Sequence, residues 1–127
     1  RFCGGCRGRC GGGAGGAFGR SDRNLKENFT SIDPKAILSK VAAMPITTWS
    51  YKDEAGKRHL GPMAQDFFGA FGIGQDDKTI TYLDEGGVAL AAIQGLYQEN
   101  QQLKRDLAAL KAQVNAIARP SVPRRHH

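Results

Sequence analysis

No run of eighteen or more apolar residues occurs in the 127-residue chain, so no segment of it can span a bilayer as a helix. No signal-peptide pattern opens it, and the start at Arg1 leads us to expect the C-terminal part of something longer. Cysteine is scarce and confined to Cys3, Cys6 and Cys10. A structural zinc site takes four ligands, and neither a fourth Cys nor a nearby His is present. The Cys-x2-Cys-x3-Cys spacing could suggest a metal site, but the ligand count argues against one, and no cofactor is expected. An odd number of cysteines also fits pairing between chains. Acidic residues are absent from both ends. Residues 1–20 hold Arg1, Arg7, Arg9 and Arg20, and residues 119–127 hold Arg119, Arg124 and Arg125.

All 12 acidic residues lie in 21–118, against 11 basic ones, so this middle carries a net charge of −1 although the chain totals +6. The high isoelectric point belongs to the ends. It argues against a nucleic-acid-binding face on the folded part. The length allows one domain with tails. We divide it into a Gly- and Cys-rich low-complexity segment (1–20), a folded region (21–84), a coiled-coil helix (85–118) and a basic tail (119–127) expected to be disordered.

Within the folded region, Leu25 and Phe29 lie four apart and predict a short helical turn, capped by Ser21 or Asp22. Asp33-Pro34 opens a helix, with Asp at the N-cap and Pro at the first helical position. Ile37, Leu38, Val41 and Met44 form its apolar stripe, and Pro45 ends it. Ile46–Lys52 reads as a strand and Lys57–Leu60 as its return, around a turn at Asp53–Gly56. With no aromatic cluster beside it in sequence, Trp49 reads as a core or subunit-interface anchor and not a ligand platform. Met63–Phe71 predicts a short helix, Gly72–Asp77 a loop and Thr79–Leu83 a strand.

Asp84 is the expected cap of the last element. From Val88 to Ala118 there is no proline, and apolar residues step by three and four. Ile93, Asn100, Leu107 and Val114 take heptad position a; Leu96, Leu103, Leu110 and Ile117 take position d. A helix over 85–118 is about 50 Å long. So small a domain offers it little to lean on, and a homo-oligomer follows. The seam residues do not fix the strand number; an Asn at position a is often a dimer device. The fold class is α+β: short helices and a β-hairpin, then a long coiled-coil helix.

The candidate chemistry lies in Ser21-Asp22-Arg23-Asn24-Leu25-Lys26-Glu27-Asn28-Phe29. Ser21 and Lys26 are five apart, an offset that makes neighbours on neither a helix nor a strand. They can meet only across a turn. This motif, opening a domain that closes in heptads, resembles the peptidase S74 domain. That domain is the C-terminal intramolecular chaperone of phage tailspikes and tail fibres such as the endosialidases, and a related one occurs in myelin regulatory factor. Gly61-Pro62-Met63-Ala64-Gln65-Asp66 is similar to a second segment of the family, and the resemblance runs from about Ser21 to Ile117.

The resemblance implies a homotrimer in a virion tail fibre or at a bacterial surface, partnered by itself and by an upstream region of the same polypeptide. No nucleic acid or membrane partner is implied. It also implies a serine peptidase with a Ser-Lys dyad, acting once and in cis. Ser21 would attack the Arg20 carbonyl and cut Arg20–Ser21, with Lys26 as base. A free lysine amine is protonated at neutral pH and must lose that proton to act, which burial favours. Asp22, Arg23 and Asn24 are candidate supporting residues. Three other readings compete: a non-cleaving trimerisation cap, a coiled-coil adaptor with basic tails, and a Ser-Lys enzyme acting on other proteins. The last needs a concave pocket.

Overall fold

A computed structural model describes residues 20–120. Cys3, Cys6 and Cys10, the glycine-rich stretch up to residue 19 and the tail from 121 lie outside the described residues. Contacts divide the chain into two compact units, Arg1–Thr30 and Ser31–His127.

Among the described residues of the first unit, one 3-10 turn spans Arg23–Leu25. It is the short helical turn expected after Ser21-Asp22, with Asp22 as its cap, but it stops at Leu25 and does not reach Phe29. Lys26 is extended (φ −119°, ψ 150°), and Asn28 takes a left-handed conformation at φ 57°. That conformation is uncommon outside glycine, and asparagine tolerates it best. The repeat of four was a local coincidence that the Asn28 kink interrupts.

The second unit follows the order helix, hairpin, helix, long helix: α1 (Pro34–Ala43), β1 (Thr47–Trp49), β2 (His59–Gly61), α2 (Ala64–Phe71) and α3 (Tyr82–Ala118). This is an α+β arrangement. Asp33 caps α1, accepting from the Lys35 and Ala36 N–H groups at 3.1 and 3.4 Å, and Pro34 fills the first turn as expected. Its apolar stripe, Ile37, Leu38, Val41 and Met44, is half-buried.

The hairpin pairs antiparallel in the register Thr47–Gly61, Thr48–Leu60 and Trp49–His59. Both strands are shorter than the sequence predicts. The Tyr51 carbonyl accepts from the Glu54 N–H, and the Glu54 carbonyl from the Lys57 N–H, so turns take over residues expected to pair. Thr79–Leu83 is not a strand. Thr79–Thr81 is irregular, and Tyr82 already begins α3. The β-branched residues Thr79, Ile80 and Thr81 suggested a strand, but no partner strand lies in the sheet, which has two strands only.

The cap of α3 is Thr81, not Asp84. The Thr81 hydroxyl accepts from the Asp84 N–H at 3.1 Å and donates to the Asp84 carboxylate at 2.7 Å. Both residues serve the same helix start, Thr81 as its N-cap and Asp84 as the acceptor of the Thr81 hydroxyl. The helix therefore begins three residues earlier than read and is about 55 Å long.

The core is small. Its buried hydrophobic members are Phe67, Val88, Ala91 and Ala92. On α3, Val88, Ala91, Ala92 and Gly95 step by three and four and form the buried face. Gly95 lies where α1 crosses closest: a Cβ there would run into the Pro34 carbonyl and sit 3.0 Å from Leu38 Cβ. A surface ion pair, Lys35–Glu99 at 3.6 Å, flanks this contact and adds little. On α2, Phe67 is 3% exposed and tilts against Phe71 with ring centroids 5.1 Å apart. Gly72 ends α2 in the left-handed conformation (φ 63°), which glycine adopts without strain.

All the a and d residues read from the sequence lie on α3 and face solvent in the single chain: Ile93, Leu96, Asn100, Leu103, Leu107, Leu110, Val114 and Ile117. They form a stripe beside the buried face. No helix among the described residues is long and apolar enough to cross a membrane.

Candidate active site

The Ser21–Lys26 pair meets across the 3-10 turn. Asp22 builds that turn from its N-cap: its carboxylate accepts from the Asn24 N–H at 3.0 Å and from the Asn24 side-chain amide at 3.1 Å. Its carbonyl accepts from the Leu25 N–H at 3.1 Å, and the Arg23 carbonyl accepts from the Lys26 N–H at 3.2 Å. The chain reverses over three residues and then leaves in an extended Lys26. The result is a hydrogen bond from Lys26 Nζ to Ser21 Oγ of 2.8 Å.

A five-residue offset thus becomes a side-chain pair because a tight turn is inserted between its members. Asp22 and Asn24 shape that turn; their hydrogen bonds go to one another. Arg23 lies within it, and Arg20 immediately precedes Ser21. All of these side chains are exposed in the single chain. The arrangement can hold a hydroxyl next to an amine. Among the described residues no enclosed cleft for a separate substrate lies at Ser21 and Lys26, and the Arg20–Ser21 peptide bond is adjacent by covalent connection.

Residues 21–72 match the peptidase S74 family, described as the chaperone of endosialidase. The S74 match begins at Ser21 and includes both segments that carried the resemblance, Ser21–Phe29 and Gly61–Asp66. It stops at Gly72, so α3 and its heptads lie beyond it. No curated protein matches the chain.

Within the S74 segment, the hairpin holds a feature that reading in sequence order missed. Trp49 stacks on His59 with ring centroids 4.9 Å apart at 27°, and Tyr51 meets both edge-on, at 4.9 and 5.4 Å. Trp49 does have aromatic neighbours. The Trp49–His59 register pair creates the cluster, and register is not visible from Trp49 alone. The alternation of Trp49 and Tyr51 on one face was the available signal.

Two depressions lie in the second unit. One, of about 250 Å³, is shallow and has Lys40 and Asp66 among its lining residues. The other, of about 700 Å³, is a groove walled by the aromatic cluster, the start of α2 and the first turn of α3. In the loop between α2 and α3, Asp76 accepts from the Lys78 and Thr79 N–H groups and the Thr79 hydroxyl, all at 2.9 Å. The Lys78 backbone hydrogen bond, and after it the Thr79 hydroxyl, hold its carboxyl below the ordinary value of 3.8. Among the described residues no His, Cys, Asp and Glu group has the arrangement of a metal site.

Proposed function

We infer that this chain is an intramolecular chaperone that assembles as a homotrimer along α3. It then releases itself from the polypeptide before it by cutting Arg20–Ser21. The observation that carries the catalytic half is the 2.8 Å hydrogen bond between Lys26 Nζ and Ser21 Oγ. The S74 match, with its description as a chaperone of endosialidase, supports the chaperone half.

The chemistry runs in two steps. The neutral Lys26 amine takes the Ser21 hydroxyl proton as Oγ attacks the Arg20 carbonyl carbon. The tetrahedral adduct collapses, the C–N bond breaks, and the proton passes to the Ser21 nitrogen, which leaves as an amine. The Arg20 acyl group is then an ester on Ser21 Oγ. Water hydrolyses it, giving a carboxylate at Arg20 and restoring the hydroxyl. Proximity is supplied by the chain itself, since nucleophile and scissile bond belong to adjacent residues.

Lysine becomes a base only when its charged form is disfavoured, and burial does this. Ser21 and Lys26 are exposed in the single chain. Assembly that covers them makes cutting conditional on association. The exposed stripe on α3 supports that association. Its residues from 101 onward have no buried side chain, and an isolated helix in water is stabilised chiefly by partners on its apolar face. Asn100 at position a would set the register of the copies. Because the turn holds the dyad in an open single chain, a non-cleaving trimerisation cap is the second reading.

Intact mass of the purified wild type and of Ser21→Ala tests the first against the second. We expect the wild type to lose residues 1–20 and Ser21→Ala to remain whole, with Lys26→Ala also uncut. A wild type that stays full length as a trimer leaves the cap reading standing and removes the peptidase.

A further inference from the structure

We propose that two charged rows flanking the exposed stripe of α3 form an ion-pair ladder that admits a second copy of this chain only in parallel and in register. The inference rests on the oligomeric half of the proposed function and names what fixes the direction and alignment of the copies.

Positions e and g border the a/d stripe of a heptad helix and face the neighbouring helix. With position a at Ile93, Asn100, Leu107 and Val114, two g positions are acidic, Glu99 and Asp106. The e positions five residues after them are basic, Lys104 and Lys111. All four side chains are exposed in the single chain. The rows do not serve their own helix. Pairs within a helix join residues three or four apart. No acid lies at those offsets from Lys104 or Lys111, and no base from Glu99 or Asp106. Among the described residues neither Lys104 nor Lys111 makes an ion pair. Glu99 meets Lys35 at 3.6 Å, and Asp106 accepts from the Gln102 amide at 2.8 Å; each contact uses one carboxylate oxygen.

In a parallel, in-register pair of helices, a g residue faces the e residue five positions later on the other copy. Glu99 then faces Lys104 of the second copy, and Asp106 faces Lys111. Both contacts are attractive, and Asn100 meets its own counterpart. A shift of one heptad keeps only one of the two contacts and sets Asn100 against Ile93 or Leu107. An antiparallel pair sets g against g and e against e. Carboxylates then oppose carboxylates and ammonium groups oppose ammonium groups, so no antiparallel alignment gains an attractive pair between these rows. Each exposed pair is weak. The apolar stripe supplies the attraction, and the rows supply the choice among alignments. A parallel bundle gathers the Tyr82 ends of α3, so the α1 contacts of every copy lie toward the same end.

A zero-length carbodiimide cross-linker, which joins Lys to Asp or Glu in direct contact, reads the ladder in the full wild-type chain. Isotope-labelled and unlabelled chains are mixed and refolded, oligomer mass is measured, and the links are mapped. We expect labelled-to-unlabelled links Glu99–Lys104 and Asp106–Lys111. Charge reversal is the second measurement. Glu99→Lys with Asp106→Lys, and separately Lys104→Glu with Lys111→Glu, should each weaken self-association about tenfold or more at low salt. The loss should fade at about 1 M salt, where the screening length is about 3 Å. All four changes together should restore self-association and yield chains that do not mix with wild type. An oligomer with links in another alignment or with neither link, or a fourfold variant that mixes freely with wild type, overturns the ladder and leaves the trimer. A monomeric wild type overturns both, whatever Ser21→Ala shows about cutting. The cross-linking requires no variant, so a substitution that disturbs folding leaves the test intact.

Discussion

At the scale of single residues, the fold depends on where a side chain is missing. Gly95 sits on the buried face of α3 under Pro34. In an exposed helix, Gly to Ala gains up to about 1 kcal/mol. At Gly95 the added methyl meets backbone that cannot move aside, and over-packing costs about 1–3 kcal/mol. We expect Gly95→Ala to lower the melting temperature. Gly87, eight residues earlier on the same helix, has open space where its Cβ would go. Gly87→Ala is expected to raise the melting temperature, and opposite signs in thermal denaturation check the pair.

Asp76 offers a second test at this scale. Its folded pKa is lowered, so the stability it contributes is present above the ordinary carboxyl value of 3.8 and is lost as pH falls through the lowered one. Carboxyl chemical shifts followed by NMR should titrate below 3.8 at Asp76 and nearer to it in Thr79→Val, which removes the hydroxyl donor.

At the scale of elements, helix starts were more legible than strand ends. Asp33-Pro34 announced α1 because cap and first turn are local events. The strand expected at Thr79–Leu83 failed because a strand needs a partner, and pairing is decided elsewhere in the chain. The hairpin was read correctly in its existence and too long in its extent, since the turns at Tyr51–Lys57 compete for the same backbone groups. The turn joining Ser21 to Lys26 was legible as a necessity and not as a geometry. The offset required a reversal, while the hydrogen bonds between Asp22 and Asn24 that make it are visible only in three dimensions.

The heptads of α3 were legible because they repeat, and they yield the prediction that belongs here. Leu107→Asp places a charge in the middle of the exposed stripe, far from the α1 contact. It is expected to shift the chain from oligomer to monomer in light scattering, while Phe67 and its neighbours stay packed. An oligomer of unchanged mass would mean that α3 does not carry the association.

At the scale of the whole molecule, the balance of buried and exposed apolar surface is the main constraint. Among the described residues, four buried hydrophobic side chains are set against exposed Leu, Ile, Tyr and Phe side chains in both units. Cores this small rarely hold a domain of this length without association or another brace. The S74 match accounts for the segment through Gly72 and is silent on α3, so the part of the chain proposed to gather copies and the part proposed to cut are separable in sequence.

Past Gln101, α3 continues for residues 102–118, about 25 Å, with every side chain exposed in the single chain. It carries Lys104, Arg105 and Lys111 in the open. If α3 carries the association as proposed, a chain without its copies displays an exposed handle open to trypsin, and an assembled one hides it. Dilute protein is expected to be clipped first at these three residues in a brief tryptic digest, and concentrated protein to be spared. In a cell the same handle would let proteases clear orphaned chains, so a stockpile of unassembled material would not persist to be mistaken for finished product.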